Sequence, residues 1–211
     1  MKIKNHLINP ALLIIDMQNG FVSKGGSYDL MGLNVSKYSE VVPRLKRLIT
    51  LCRKVKIPIF YSQAVREESG IDLLTRFHKI LPKSREERIK KRPICIRGSW
   101  DAQIVDEIKP SLDDHVVIKR RDSVFQDTEM EVWLRSLRID SIIFSGIDTS
   151  ICVEASLHDA FNHGYDVVLI SDTTASNNLN HYNSTLDKIR DYYGLVMNLE
   201  EFVGEFGKNN K

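Results

Sequence analysis

The sequence predicts an α/β fold, a mostly parallel sheet of about six strands with helices on both faces. Two patterns carry that prediction. Short runs that are apolar throughout, such as ALLIIDM at 11–17, recur along the chain. A strand buried on both faces reads this way, whereas a half-exposed strand alternates. Between these runs lie segments whose apolar residues recur at helical spacing, and strand–helix alternation of this kind argues for a parallel sheet. The length of 211 residues suits one domain with one well-buried core, spanning about residues 10–200 and ending in a loose tail at 205–211.

Each element has its own reason. Residues 11–17 form the first strand. Residues 39–56 follow as a helix, with apolar residues at 41, 42, 45, 48, 49, 52 and 55 on one face and Pro43 in the first turn. Residues 58–64 (PIFYSQA) are a second strand, and 71–81 a helix. Residues 82–100, with their Pro and Gly residues and the charge run KSREERIKKR, make a long excursion, followed by a short helix at 102–108. Strands at 115–119, 140–145, 166–171 and 195–197 then alternate with helices at 129–137, 151–163 and 179–193.

The bulk numbers exclude several function classes. Net charge is only +2, and the one basic run carries two glutamates, so it reads as a solvated surface and not a nucleic-acid site. No apolar run is long enough to span a membrane, and the N-terminal MKIKNHLINP lacks a signal peptide's apolar stretch. The three cysteines have long spacings and form no CxxC, which argues against a disulfide scaffold or zinc site and for a reducing cytoplasm. Cys52 shares a helix face with Leu48, Ile49 and Val55 and reads as core; Cys95, between Ile94 and Ile96, reads as packing.

Chemistry concentrates at 145–160, SGIDTSICVEASLHDA. The strand SIIF runs through Gly146 and a polar turn into a helix that begins near Cys152. A thiol at a helix start faces the positive end of the helix dipole, which can bring its pKa from about 8.5 into the range of roughly 3.5–7.5. The expectation is a thiolate nucleophile, although the segment alone is equally compatible with a small buried cysteine. Ligands of parallel sheets bind beyond the carboxyl ends of the strands. Asp16, Gln63, Lys119 and the Gly146–Cys152 turn all fall there. Asp16 follows an apolar run, where burial demands a partner, and Lys119 is the natural one.

Four segments together resemble the isochorismatase-like cysteine hydrolases: LLIIDMQNGF (12–21), IRGSWDAQIVDEIKP (96–110), VVIKRRDSVFQDT (116–128) and SGIDTSICVEASLHDAFNHGYDVVLISDTTAS (145–176), in the family's order. The resemblance implies a three-layer α/β/α, Rossmann-like fold and a catalytic triad of Asp16, Lys119 and Cys152. It also implies a cis peptide at Ile147–Asp148 that aims the backbone N–H groups of Asp148 and Cys152 at an oxyanion. In such a site Asp16 takes the thiol proton, Lys119 holds Asp16, and Cys152 attacks an amide carbonyl to form a thioester. Neither metal nor other cofactor is expected.

Two departures sharpen the expectation. Nicotinamidases of this superfamily carry an Asp-x-His metal site after the second strand, and SQAVREES at 62–69 has neither residue. Isochorismatases proper cleave a vinyl ether and lack the cysteine. The chain is most similar to members acting on ureidoacrylate, biuret and N-carbamoylsarcosine. The expected function is therefore hydrolysis of a C–N bond in a small linear amide or ureido compound. The alternatives are vinyl-ether hydrolysis, a nicotinamidase-like amidase without the usual metal, and an inactive scaffold. The resemblance also implies a homo-oligomer, dimer or tetramer. Phe21, Gln63, Trp100 and Phe125 are candidate pocket residues. Arg97 and Arg121 fit surface ion pairs better than a substrate carboxylate, and Asp148 fits a helix cap with Thr149 and Ser150.

Overall fold

In the computed structural model, residues 7–91 and 93–206 are described. Six strands are seen: β1 (Pro10–Ile15), β2 (Ile59–Ala64), β3 (His115–Lys119), β4 (Ser141–Ile147), β5 (Asp166–Ala175) and β6 (Leu195–Met197). They form one sheet in the order β3-β2-β1-β4-β5-β6, and every neighbouring pair is parallel. The chain winds outward in both directions from β1, so the strand order reverses between β1 and β4. That crevice is where ligands of doubly wound sheets bind.

Side chains of β1 alternate between two cores. Leu12 and Ile14 pack on one face with α1 (Val42–Lys54) and α6 (Leu199–Phe206). Ala11, Leu13 and Ile15 pack on the other with α3 (Met130–Ser136) and α4 (Glu154–Asn162). Both faces of the sheet are thus covered, which is the three-layer arrangement and explains why β1 is apolar without alternation. Cys52 lies buried in the α1 layer.

Two further helices of more than two turns are α2 (Lys83–Lys91) and α5 (Leu179–Lys188). The region after β2 departs from expectation. Residues 71–81 yield only one helical turn, Leu74–Phe77, because none of its residues is buried and no side chain caps its start. The charge run is helical instead, as α2, up to Lys91. Residues 102–108 split into two tight turns, Trp100–Ala102 and Asp106–Ile108. The strands β4 and β5 extend beyond the predicted ends, and the helix after β4 begins with a wide π-type turn, Thr149–Val153, before α4. Parts of the N-terminal stretch, Arg92 of the basic run and most of the expected tail lie outside the described residues.

Candidate active site

The site is built from strand ends. Asp16 follows the last residue of β1 and adopts a left-handed backbone, φ 50°. It is 2% exposed. Ser62 of β2 fixes one side of it. The Ser62 hydroxyl donates to Asp16 Oδ1 at 2.6 Å and accepts from the Asp16 backbone N–H at 3.2 Å. Lys119, at the end of β3, holds the other side, with Nζ 2.7 Å from Asp16 Oδ2. Lys119 does not lie on the adjacent strand: β2 intervenes, and Lys119 pairs with Ala64 in the register. Its long side chain crosses the end of β2 to reach the carboxylate.

The Lys119 ammonium also donates to the carbonyls of Arg121 (2.9 Å) and Asp122 (3.0 Å). Two of the ammonium's three hydrogens are thus held by backbone carbonyls, while its charge faces Asp16 as an ion pair. Burial acts to lower the Lys119 pKa, but the charge of Asp16 outweighs it and holds the ammonium above its usual range. Lys119 is therefore a fixed cation that positions Asp16, not a proton donor.

Cys152 sits in the π-type turn after β4, partly exposed at the cavity wall. The surroundings of the thiol work against the depressed pKa that a helix start suggests. Burial pushes the Cys152 thiol well above its ordinary value; Lys119 opposes this, while the charges of Asp16 and Asp122 add to it. A helix dipole acts most strongly at a solvated α-helical N-terminus, whereas this turn is wide and the sulfur is desolvated. The resting nucleophile is a thiol with a carboxylate in reach.

The Ile147–Asp148 peptide bond is cis. Asp148 caps the turn: Oδ1 accepts from the Ser150 N–H and hydroxyl, both at 2.9 Å. Its Oδ2 accepts from the Tyr38 hydroxyl at 2.6 Å, and Asn177 Nδ2 donates to Tyr38 at 2.9 Å. Gly146 makes the approach of β4 to β1 possible. Its φ is 102°, and a Cβ there would lie 2.2 Å from the Ile15 carbonyl oxygen.

These groups open into a cavity of about 410 Å³, a size suited to a small molecule. Asp16, Lys119 and Cys152 form its floor, and Tyr28, Tyr38 and the excursion after β2 form its walls. Of the four predicted pocket residues, Phe21 lines it. The other three do not line it. Gln63 turns away and donates to the Ala102 carbonyl at 3.0 Å. Trp100 is half exposed on the surface, 49%. Phe125 stacks on His163, centroids 5.4 Å apart, beside the second core. Arg97 makes the expected surface pair, with Glu67 at 2.7 Å.

Sequence reasoning missed Ser62, Tyr28 and Tyr38. Ser62 carried a signal, as a lone small hydroxyl in an apolar strand beside the end of β1. The other two come from short turns whose placement no periodicity encodes.

Residues 10–201 match the isochorismatase domain family model. The chain belongs to the isochorismatase family. It is 33% identical over 199 residues to ureidoacrylate amidohydrolase RutB of Yersinia enterocolitica, covering 91% of this chain and 86% of that protein. It is 31% identical over 210 residues to the protein of the same name from Acinetobacter baylyi, covering 95% and 85%. Among solved structures, a cysteine hydrolase from Pseudomonas syringae pv. phaseolicola has the same fold, with a TM-score of 0.81, 21% identity and coverage of 94% of this chain and 92% of that one. N-carbamoylsarcosine amidase from Thermoplasma acidophilum has a TM-score of 0.71 at 24% identity, covering 92% and 98%. The isochorismatase fold thus places the strand ends of β1, β3 and β4 around one cavity.

Proposed function

We propose that this isochorismatase-family chain is a cysteine-dependent amidohydrolase that cleaves a C–N bond of a small linear amide or ureido compound. The observation that carries it is the Asp16–Lys119 pair, 2.7 Å apart, at the cavity wall beside the Cys152 thiol. The names of the relatives, ureidoacrylate amidohydrolases at 33% and 31% identity, support the bond type.

The chemistry follows from these groups. Asp16 accepts the thiol proton as the sulfur attacks the carbonyl carbon, so a thiolate is needed only at the moment of attack. Lys119 keeps Asp16 in place and balances its charge. The backbone N–H groups of Asp148 and Cys152 stabilise the tetrahedral oxyanion, and losing one such donor costs about 10²–10³ in rate. Asp16 then returns the proton to the departing nitrogen. Water, deprotonated by Asp16, attacks the thioester and restores the thiol. With a ureido substrate both nitrogen-loss routes end in ammonia, because a released carbamate decomposes to ammonia and carbon dioxide.

The match over residues 10–201 supports a single-domain reading. Three free cysteines support a reducing, cytoplasmic setting. No helix among the described residues is long and apolar enough to cross a membrane. Family resemblance supports a dimer or tetramer, acting on a small molecule and not on nucleic acid.

An ammonia-release screen over ureidoacrylate, biuret, carbamoyl amino acids, maleamate and nicotinamide tests the proposal. Activity on at least one compound, abolished in Cys152→Ala with an unchanged melting profile, is expected. A variant that keeps the full rate, or turnover of isochorismate instead, overturns it.

A further inference from the structure

The cavity wall carries Arg66, Arg85, Arg88 and Arg121. Three of these guanidinium groups have at least one terminal nitrogen bonded. Arg85 holds both oxygens of Asp122, at 2.9 and 2.7 Å. Arg66 donates a terminal N–H to the Arg120 carbonyl. Arg121 donates to the carbonyls of Asp72 (3.2 Å) and Arg120 (3.1 Å) and lies over the Phe77 ring, 4.3 Å from its centroid.

Arg88 differs. Its Nε donates to the Ser84 carbonyl one turn back in α2, at 3.0 Å. That bond orients the side chain and leaves both terminal nitrogens without a partner among the described residues. The wall's carboxylates do not quench it. Glu67 pairs with Arg97 and Arg120, Asp122 pairs with Arg85, and exposed Glu68 bonds none of the arginines among the described residues. Two open terminal nitrogens on a planar guanidinium match the two oxygens of a carboxylate.

Tyr28 faces the same space, its ring edge-on to Phe21 with centroids 4.8 Å apart. Its hydroxyl has no hydrogen-bond partner among the described residues. Burial raises the phenol's pKa, the charges of Cys152 and Asp148 raise it further, and Arg88 opposes them. The hydroxyl thus stays a neutral donor at ordinary pH, in electrostatic reach of both the nucleophile and Arg88.

We propose that Arg88 is a specificity-determining residue that binds the carboxylate of an anionic substrate, with the Tyr28 hydroxyl as a second donor. The substrate is then a ureido or carbamoyl acid, not a neutral amide. This rests on the amidohydrolase reading and adds to it the substrate's charge and the residues that recognise it.

The probes are (Z)-3-ureidoacrylate and its methyl ester, which differ in the one charge. Their binding is measured by calorimetry on Cys152→Ser protein, where turnover does not intervene, and ammonia release by the unmodified enzyme is measured separately. The acid is expected to bind about 10–100-fold more tightly than the ester, the span of a hydrogen-bonded charged group. Arg88→Gln brings that ratio close to one, Arg88→Lys keeps part of it, and Tyr28→Phe lowers it. Equal binding of acid and ester, binding of neither, or an equal loss of both in Arg88→Gln overturns the proposal. Selective binding of the acid with no ammonia from any compound of the screen overturns the amidohydrolase reading and leaves the anion site standing.

Discussion

Lys119 Nζ lies 2.7 Å from Asp16 Oδ2, and both side chains are almost wholly buried. The pair joins the ends of two strands that do not touch each other, across the end of β2. Removing one partner of a buried ion pair strands the other charge, at a cost of about 3–5 kcal/mol. Lys119→Met is expected to lower stability by that much in urea unfolding. Asp16→Asn should lose about 10²–10⁴ in rate, the usual weight of a general base, while remaining folded. The double variant should be more stable than Lys119→Met alone, since it removes both charges. A double variant as unstable as the single one would show that Lys119 acts through packing and not through Asp16.

The thiols set a pH dependence whose sign is fixed. Cys52 is pushed up by burial to about 12, and Cys152 is also raised, both from an ordinary value of 9.0. Below pH 9 both are protonated in folded and unfolded chains, and their contribution to stability is complete. Above it the unfolded chain loses these protons first, so stability falls as pH rises toward the folded-state values. Each raised thiol contributes a slope of about 1.4 kcal/mol per pH unit. Urea unfolding from pH 7.5 to 10.5 checks this, and a flat profile above pH 9 contradicts it. Thiolate absorbance resolves Cys152 itself: its inflection should fall in Asp16→Asn, where a raising charge is removed, and climb in Lys119→Met.

Much of this site was legible because parallel sheets gather strand ends. Asp16 and Lys119 each end an apolar strand, and Gly146 marks the turn that carries Cys152. The thiol's state was not legible. A helix start was visible in the sequence, but the burial that outweighs the dipole depends on chain packed from elsewhere. Gln63 shows the limit of strand-end logic. Its neighbour Ser62 meets Asp16, while Gln63 points to the Ala102 carbonyl, and a one-residue difference in a strand changes which face a side chain serves. Arg88 and Tyr28 reach the cavity from α2 and from a short turn after β1, long-range placements that local periodicity does not specify.

Tyr38 joins the Asp148 cap to Asn177 and is expected to position the turn that presents Cys152. Tyr38→Phe leaves a carboxylate oxygen short of one donor, a loss of about 1–3 kcal/mol in stability. If the turn's geometry also sets the oxyanion donors, kcat should fall several-fold with KM little changed. Stability lost with kcat intact would make the network purely structural.

Gly146 supplies the most stringent test of how the two central strands meet. It pairs with Ile15, the residue before Asp16, at φ 102°, and an added Cβ would lie 2.2 Å from the Ile15 carbonyl oxygen and 2.5 Å from its nitrogen. Neither atom can move without breaking the sheet, because both belong to the backbone of a fully buried strand. Gly146→Ala therefore combines a disfavoured backbone angle with a clash that no rotamer relieves. The expected loss exceeds about 3 kcal/mol, adding strain of about 1–3 kcal/mol to overpacking of similar size. Gly164→Ala is the control: φ is 89° there too, but nothing lies within 4 Å of an added Cβ, so only the backbone term applies. Melting temperatures of the two variants separate the terms. Equal losses would show that β1 and β4 are not locked together at this residue, and with them Asp16 and the Cys152 turn.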